Sequence, residues 1–259
     1  MARIIAVANQ KGGVGKTTTC NAIASGMHLR GYKTIAIDSD QQCNLTHTMN
    51  ATGESNTLYE VLKGEIPPSD AIRKTEQGDV ITGSLDLAGA DMEFTDTGRE
   101  YMLVEALEKI ERAYDYIVID CPPQLGILTI NALTAADDLI IPLGADIYSL
   151  QGLSQIYKTV QKLRKRCNPR LKISGLLITR YSGRTMLGKA LRDIIAEKAE
   201  QLDTTIYDAI IRENVAIKEA QVQMQSIFGY APKSNAAQDY NEFLDEYLRK
   251  AVSMNAKRA

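Results

Sequence analysis

Asn9 to Thr19 reads NQKGGVGKTTT and concentrates residues suited to holding a polyphosphate. Gly12, Gly13 and Gly15 let successive backbone N–H groups turn inward around phosphate oxygens, and a helix beginning at Lys16 adds the field of its N-terminus. In such a loop Lys16 reaches the β- and γ-phosphates and the Thr17 hydroxyl ligates Mg²⁺. Val14 and Thr18 complete the expected contact set. One position departs from G-x-x-x-x-G-K-[ST]: Gln10 stands where the first glycine belongs, and Lys11 follows it.

A phosphate loop needs a carboxylate at the end of another strand to position its metal. YIVIDCPP supplies Asp120 after an apolar run, and AIDSDQQCN brings Asp38 and Asp40 to the end of a second one. Carboxylates there either orient attacking water or support the metal. The expected metal ligands are Thr17, Asp40 and Asp120.

These residues need elements to carry them to one edge. The strands expected are Arg3 to Ala8, Thr34 to Asp38, Tyr116 to Asp120, Leu139 to Leu143 and Ile173 to Thr179, with weaker ones at Asp79 to Ile81 and Leu85 to Ala88. Their nearly continuous apolar character suits strands covered on both faces, as in a parallel sheet. Helices are expected at Lys16 to Arg30, Glu100 to Ala113, Leu125 to Ala136, Leu150 to Arg166, Leu187 to Gln201 and Ala237 to Lys250. The alternation predicts a single doubly wound α/β domain over residues 1–259, with a mostly parallel central sheet flanked by helices. The first strand begins near residue 3, so no N-terminal helix-turn-helix domain is expected.

Composition narrows the classes further. The chain has 259 residues, 44% of them hydrophobic and 24% charged, enough apolar material for a full core. With no Trp and three Phe, that core is mainly aliphatic. No apolar run approaches the roughly 18 residues of a membrane span, and the N-terminus lacks a cleavable signal pattern, so a cytoplasmic protein is expected. Cys20, Cys43, Cys121 and Cys167 form no C-x-x-C pair, and His28 and His47 have no metal-ligand spacing. Disulfide-scaffold, zinc and iron–sulfur readings lose their support.

KGGVGKTT, DSDQQCN and DCPPQLGILTINAL together resemble the deviant Walker A loop and two switch segments of the ParA/MinD P-loop ATPase superfamily. Soj-like ParA partition ATPases are most similar, over nearly the whole chain. The resemblance implies that Lys16 contacts the phosphates, Thr17 holds Mg²⁺, Asp40 positions or activates water, and Asp120 supports the metal and senses the γ-phosphate. Lys11 matches the signature lysine that reaches the nucleotide of a partner subunit, making Lys11, Lys16 and Asp40 the catalytic set. A lysine on a glycine loop is a mobile point charge, able to act in trans as an arginine finger does. IRENVAIKEAQ is similar to the family's base-side segment, which implies base contacts from Arg212 and Asn214. Gln41, Gln124 and Gln221 depart from the commoner residues of the family.

The overall charge of −2 implies no particular partner, but its distribution does. From Ile147 to Arg192 there are eleven basic residues and no acidic ones, leaving 19 basic against 32 acidic elsewhere. Segregation of this kind is an electrostatic footprint for a polyanion, and non-specific DNA needs only well-placed Lys and Arg. The expected DNA contacts are Arg184, Lys189, Arg192 and, by resemblance, Lys218. The resemblance also implies an ATP-bound homodimer, a centromere-binding ParB-type adaptor and a nucleoid-associated location. A MinD-like membrane cycle is the alternative, and a kinase or synthetase acting on a small molecule is a further rival. The tail FLDEYLRKAVSMNAKRA carries Asp245 and Glu246 and closes in small or polar residues, so no stable membrane association is expected.

Overall fold

Alternating strands and helices build one α/β domain in the computed structural model, which describes residues 1–53, 55–144, 146, 151–182 and 186–256; the side chains of Gln151 and of residues 186–191 and 252–256 are not described. In chain order the elements are β1 (Arg3–Val7), α1 (Lys16–Leu29), β2 (Thr34–Asp38), α2 (Asn44–Thr48), α3 (Leu58–Lys63), β3 (Ile72–Thr75), β4 (Gly78–Ile81), α4 (Ala90–Glu93), α5 (Met102–Glu108) and β5 (Tyr116–Asp120). They continue with α6 (Ile127–Ala135), β6 (Asp138–Gly144), α7 (Gln151–Arg166), β7 (Lys172–Tyr181), α8 (Met186–Gln201), β8 (Ile206–Arg212), α9 (Val215–Val222), α10 (Ile227–Tyr230) and α11 (Asn235–Ala256).

The strands form one sheet in the order β3-β4-β2-β5-β1-β6-β7-β8. Every pair is parallel except β3 with β4. Helices cover both faces, as the apolar strands require. Alternate residues of each strand feed opposite layers. Ile4, Ala6, Ile35, Ile37, Ile117 and Ile119 join the layer of α3, α5, α6, α7 and α8. Ile5, Val7, Ala36 and Val118 join the layer of α1, α2, α9, α10 and α11. Parallel register brings Val7 beside Asp120 and Asp38 beside Asp120, so β1, β2 and β5 all end at one edge.

Sequence expectation and structure differ in places that have physical reasons. Leu85 to Ala88, expected as a strand, is a 3-10 helix over Leu85–Gly89, started by Ser84, whose side chain accepts the Asp86 N–H. Such a local cap competes with sheet pairing. The helix expected from Glu100 to Ala113 is α5 flanked by 3-10 turns at Arg99–Tyr101 and Glu111–Ala113. The one expected from Leu125 starts at Ile127, because Gly126 is extended and Asp91 accepts the Ile127 N–H. β3 and β8 were not expected: IRKT is short and polar, and IYDAIIR is an edge strand with exposed Asp208 and Arg212.

α11 fastens the far edge of the sheet. Its Glu246 accepts the backbone N–H groups of Asp208 and Ala209, and its Asp239 accepts that of Arg212. At the opposite end of the strands from the loop, Tyr247 donates to Asp138 at 2.8 Å and Arg3 grips the same carboxylate at 2.5 and 2.9 Å. Among the described residues, no helix is long and apolar enough to cross a membrane.

Candidate functional site

The segment between β1 and α1 turns sharply at Gly13 (φ 73°) and Gly15 (φ 85°), left-handed conformations that a side chain would strain. α1 starts without any side-chain cap, so its first N–H groups remain available to a ligand. Lys16 is 7% exposed, and its ammonium lies 3.4 Å from the Lys11 carbonyl oxygen. Loop, β2–α2 segment and β8–α9 segment enclose a cavity of about 610 Å³. Gly12, Gly13, Gly15, Lys16, Thr17 and Thr18 line it, as do Asp40, Arg212, Asn214 and Lys218.

Asp120 ends β5 beneath this loop, fully buried. Neither of its carboxylate oxygens has a hydrogen-bond partner among the described residues. Burial pushes its pKa upward, the neighbouring Asp38 adds to this, and the Thr17 hydroxyl and Lys16 ammonium oppose it. An orphaned buried carboxylate beside a threonine hydroxyl suits a hard, oxygen-seeking divalent cation, which supplies the missing partner. Thr17, Asp120 and Asp40 therefore fit Mg²⁺ by donor type.

Asp38 has a different lot. Its carboxylate accepts the Thr46 N–H at 2.8 Å, the Thr46 hydroxyl at 2.7 Å and the Asp40 N–H at 3.2 Å. Burial raises its pKa, and those hydrogen bonds pull it back. Asp38 thus shapes the turn that presents Asp40 to the cavity, where Asp40 is 6% exposed and accepts the Gln42 N–H. Cys20 and Cys121 flank this acidic pair, fully buried, and desolvation raises both thiols.

Lys11 faces away from the main cavity into a smaller one of about 220 Å³. Its ammonium pairs with Asp146 at 2.5 Å. Arg212 and Asn214 line the main cavity while serving the scaffold. The Arg212 guanidinium forks onto Asp239, and Asn214 caps α9 by accepting the Ala216 N–H. Of the residues expected to meet DNA, Arg184 and the side chain of Lys189 lie outside the described residues. Arg192 is exposed on α8 and Lys218 is exposed on α9, helices that pack on opposite faces of the sheet. The same basic stretch exposes Lys158, Lys162, Lys165 and Arg166 along α7.

Two contributors escaped the sequence reading, and a third, Gln221, was singled out there only as a departure from the family. Thr179 and Arg180, at the end of β7, contact the loop's carbonyls: the Thr179 hydroxyl lies 2.8 Å from the Val14 oxygen and Arg180 donates to the Gly13 oxygen at 3.0 Å. Gln221 donates to the Thr18 hydroxyl at 3.1 Å. Separations of 165, 167 and 203 residues leave no local signal for such contacts.

Residues 2–173 match the protein family described as AAA domain. The chromosome partitioning protein ParA of Caulobacter vibrioides (strain NA1000 / CB15N) is 38% identical over 265 residues, covering 99% of this chain and 98% of its own length. The sporulation initiation inhibitor protein Soj of Bacillus subtilis (strain 168) is 39% identical over 251 residues, covering 95% and 98%. Among solved structures, cobyrinic acid a,c-diamide synthase from Mycobacterium smegmatis, with bound ATP analog and magnesium, superposes with a TM-score of 0.85 at 35% identity, covering 98% of this chain and 97% of that one. The loop, its two carboxylate-bearing strand ends and these full-length likenesses agree: the chain belongs to the AAA-domain family of P-loop ATPases, within the ParA/Soj group of partition proteins.

Proposed function

We propose that this chain is a cytoplasmic, nucleoid-associated Mg²⁺·ATP-dependent ATPase that dimerises face to face through its nucleotide. In the ATP state it binds DNA without sequence preference and drives partition of plasmid or chromosome with a ParB-type centromere-binding adaptor, which stimulates slow hydrolysis. One observation carries the reading: a complete phosphate cradle sits over the buried, unpartnered carboxylate of Asp120, with Lys11 standing outside the cradle.

Within this reading the loop N–H groups and Lys16 bind the phosphates, and Thr18 adds a hydroxyl. Thr17, Asp40 and Asp120 hold Mg²⁺, which when bound neutralises charge on the β- and γ-phosphate oxygens. Asp40 orients the attacking water, fixed in place by the Asp38 turn. Lys11 leaves Asp146 to reach the nucleotide of a second copy, so the lysine makes hydrolysis conditional on the dimer. Arg212 and Asn214 border the base. Arg184, Lys189 and Arg192 meet DNA phosphates, supported by the one-signed charge between residues 147 and 192, and Lys218 joins them by family resemblance.

DNA binding of the full chain with ATP, ADP and a non-hydrolysable analogue tests the proposal, with Lys11→Ala alongside. Binding is expected with ATP and the analogue and to be weak with ADP; Lys11→Ala should bind ATP as a monomer and fail to dimerise, hydrolyse or retain DNA. Equal DNA affinity in all three nucleotide states would sink the switch. ATP-dependent pelleting with anionic vesicles would favour a membrane cycle, and a phosphorylated small product a transferase.

A further inference from the structure

The phosphate loop touches the end of β7 through two consecutive carbonyls. Arg180 donates from its guanidinium to the Gly13 oxygen at 3.0 Å. The Thr179 hydroxyl lies 2.8 Å from the Val14 oxygen and 3.1 Å from the Leu143 oxygen, so its single proton favours the loop. No peptide bond among the described residues is cis. In a trans peptide the C=O and N–H point in opposite directions. Engaging the Gly13 and Val14 carbonyls on the β7 side therefore turns the Val14 and Gly15 N–H groups away from β7.

We propose that Thr179 and Arg180 are positioning residues that hold the phosphate loop in its anion-binding form before any nucleotide arrives. The backbone around them is built for this contact. Arg180 has φ 53°, a left-handed conformation that a long side chain seldom adopts without compensation. Residues kept in such conformations are over-determined by their surroundings and cluster at functional sites. Here the compensation is visible: the turn swings the guanidinium across the loop, where it also meets Glu213 at 3.4 Å on the base side of the cavity. Arg180 lines both the nucleotide cavity and the smaller cavity of Lys11, so it spans the loop's inner and outer walls. Thr179 is 2% exposed, and its methyl and hydroxyl fill the space beside Gly15, 3.9 and 4.0 Å from where a Cβ there would stand.

A preformed loop matters because an unliganded run of inward N–H groups is electrostatically unfavourable to itself and relaxes unless held. Thr179 and Arg180 hold it through its carbonyls, which leaves its N–H groups for the anion. The inference rests on the nucleotide reading of the loop, and its test separates the two. Mg²⁺-loaded ADP and ATP would be titrated into the full chain by equilibrium dialysis, for the parent and for Arg180→Gly, Arg180→Lys, Thr179→Ser and Thr179→Val. Arg180→Gly is the sharpest variant, because glycine favours the observed φ while deleting the guanidinium. It should melt at or above the parent temperature yet bind ADP and ATP about tenfold more weakly, by the same factor for both. Arg180→Lys and Thr179→Ser, which keep a donor, should retain most of the affinity; Thr179→Val should lose it like Arg180→Gly.

Parent-like affinity in Arg180→Gly overturns the proposal. So does a loss confined to ATP, because that pattern means direct contact with the terminal phosphate instead of a held loop. A parent chain that binds neither nucleotide refutes the functional reading itself, and this inference falls with it.

Discussion

Two aspartates at opposite ends of strands that flank β1 make a natural experiment. Asp120 closes β5 under the phosphate loop, and Asp138 opens β6 at the far end of the sheet; both are fully buried. Asp138 is saturated, gripped by Arg3 through two nitrogens and by the Tyr247 hydroxyl. Asp120 is buried just as deeply, and its carboxylate oxygens find no hydrogen-bond partner among the described residues. A buried carboxylate engaged on both oxygens is scaffold, and one left bare is waiting for a ligand. Burial alone does not distinguish a functional acid from a structural one; partner count does.

The largest effect expected from breaking this contrast is on the saturated side. Asp138→Ala removes the carboxylate that Arg3 grips, and breaking a buried pair from one side costs about 3–5 kcal/mol. Urea unfolding would read this as a lower midpoint at unchanged slope; a loss below ~1 kcal/mol would show that Asp138 holds little.

The unsatisfied side should behave in the opposite sense with pH. The Asp120 pKa is raised in the folded chain, so between the ordinary carboxylate range and neutrality the folded state holds a proton that the unfolded state has released. Stability of the nucleotide-free chain should therefore fall as pH rises through that window, with Asp38 acting in the same direction. Asp120→Asn should flatten the fall in melting temperature between pH 5 and pH 8 by several degrees. Identical slopes in the two proteins would mean that Asp120 titrates normally.

Tyr247→Phe is the mildest probe. It removes one of Asp138's donors and leaves Arg3 in place, for about 1 kcal/mol. The effect should vanish in an Asp138→Ala background, and a double-mutant cycle measures that coupling directly.

Much of the nucleotide site was legible because its grammar is local. Gly12 to Thr18 spell the cradle within seven residues, and Asp38 and Asp120 each end an apolar run that could hardly be anything but a buried strand, with Asp40 two residues past the first. β8 hid because an edge strand buries only part of itself: IYDAIIR alternates where the inner strands are continuous. Thr179 and Arg180 hid for another reason. Their partners are backbone carbonyls, which every residue has, so no residue type at positions 13 and 14 advertises the contact. The polarity of the 3-10 segment after Ser84 was likewise readable only once its cap was seen.

The fastening of β8 by α11 has a consequence beyond holding a helix in place. A sheet's last strand is a template on which another chain can add a strand of its own. Here the amides of Asp208, Ala209 and Arg212 are already engaged, by carboxylates seven residues apart on α11. Lys250 and the amides of Asp208 and Ala209 favour the ionised form of Glu246, against the cost of its burial. In ionised form it is an acceptor with no proton to give, so it blocks the row without continuing it. The chain therefore closes this edge of its sheet chemically, with carboxylates standing where a further strand would seek amides.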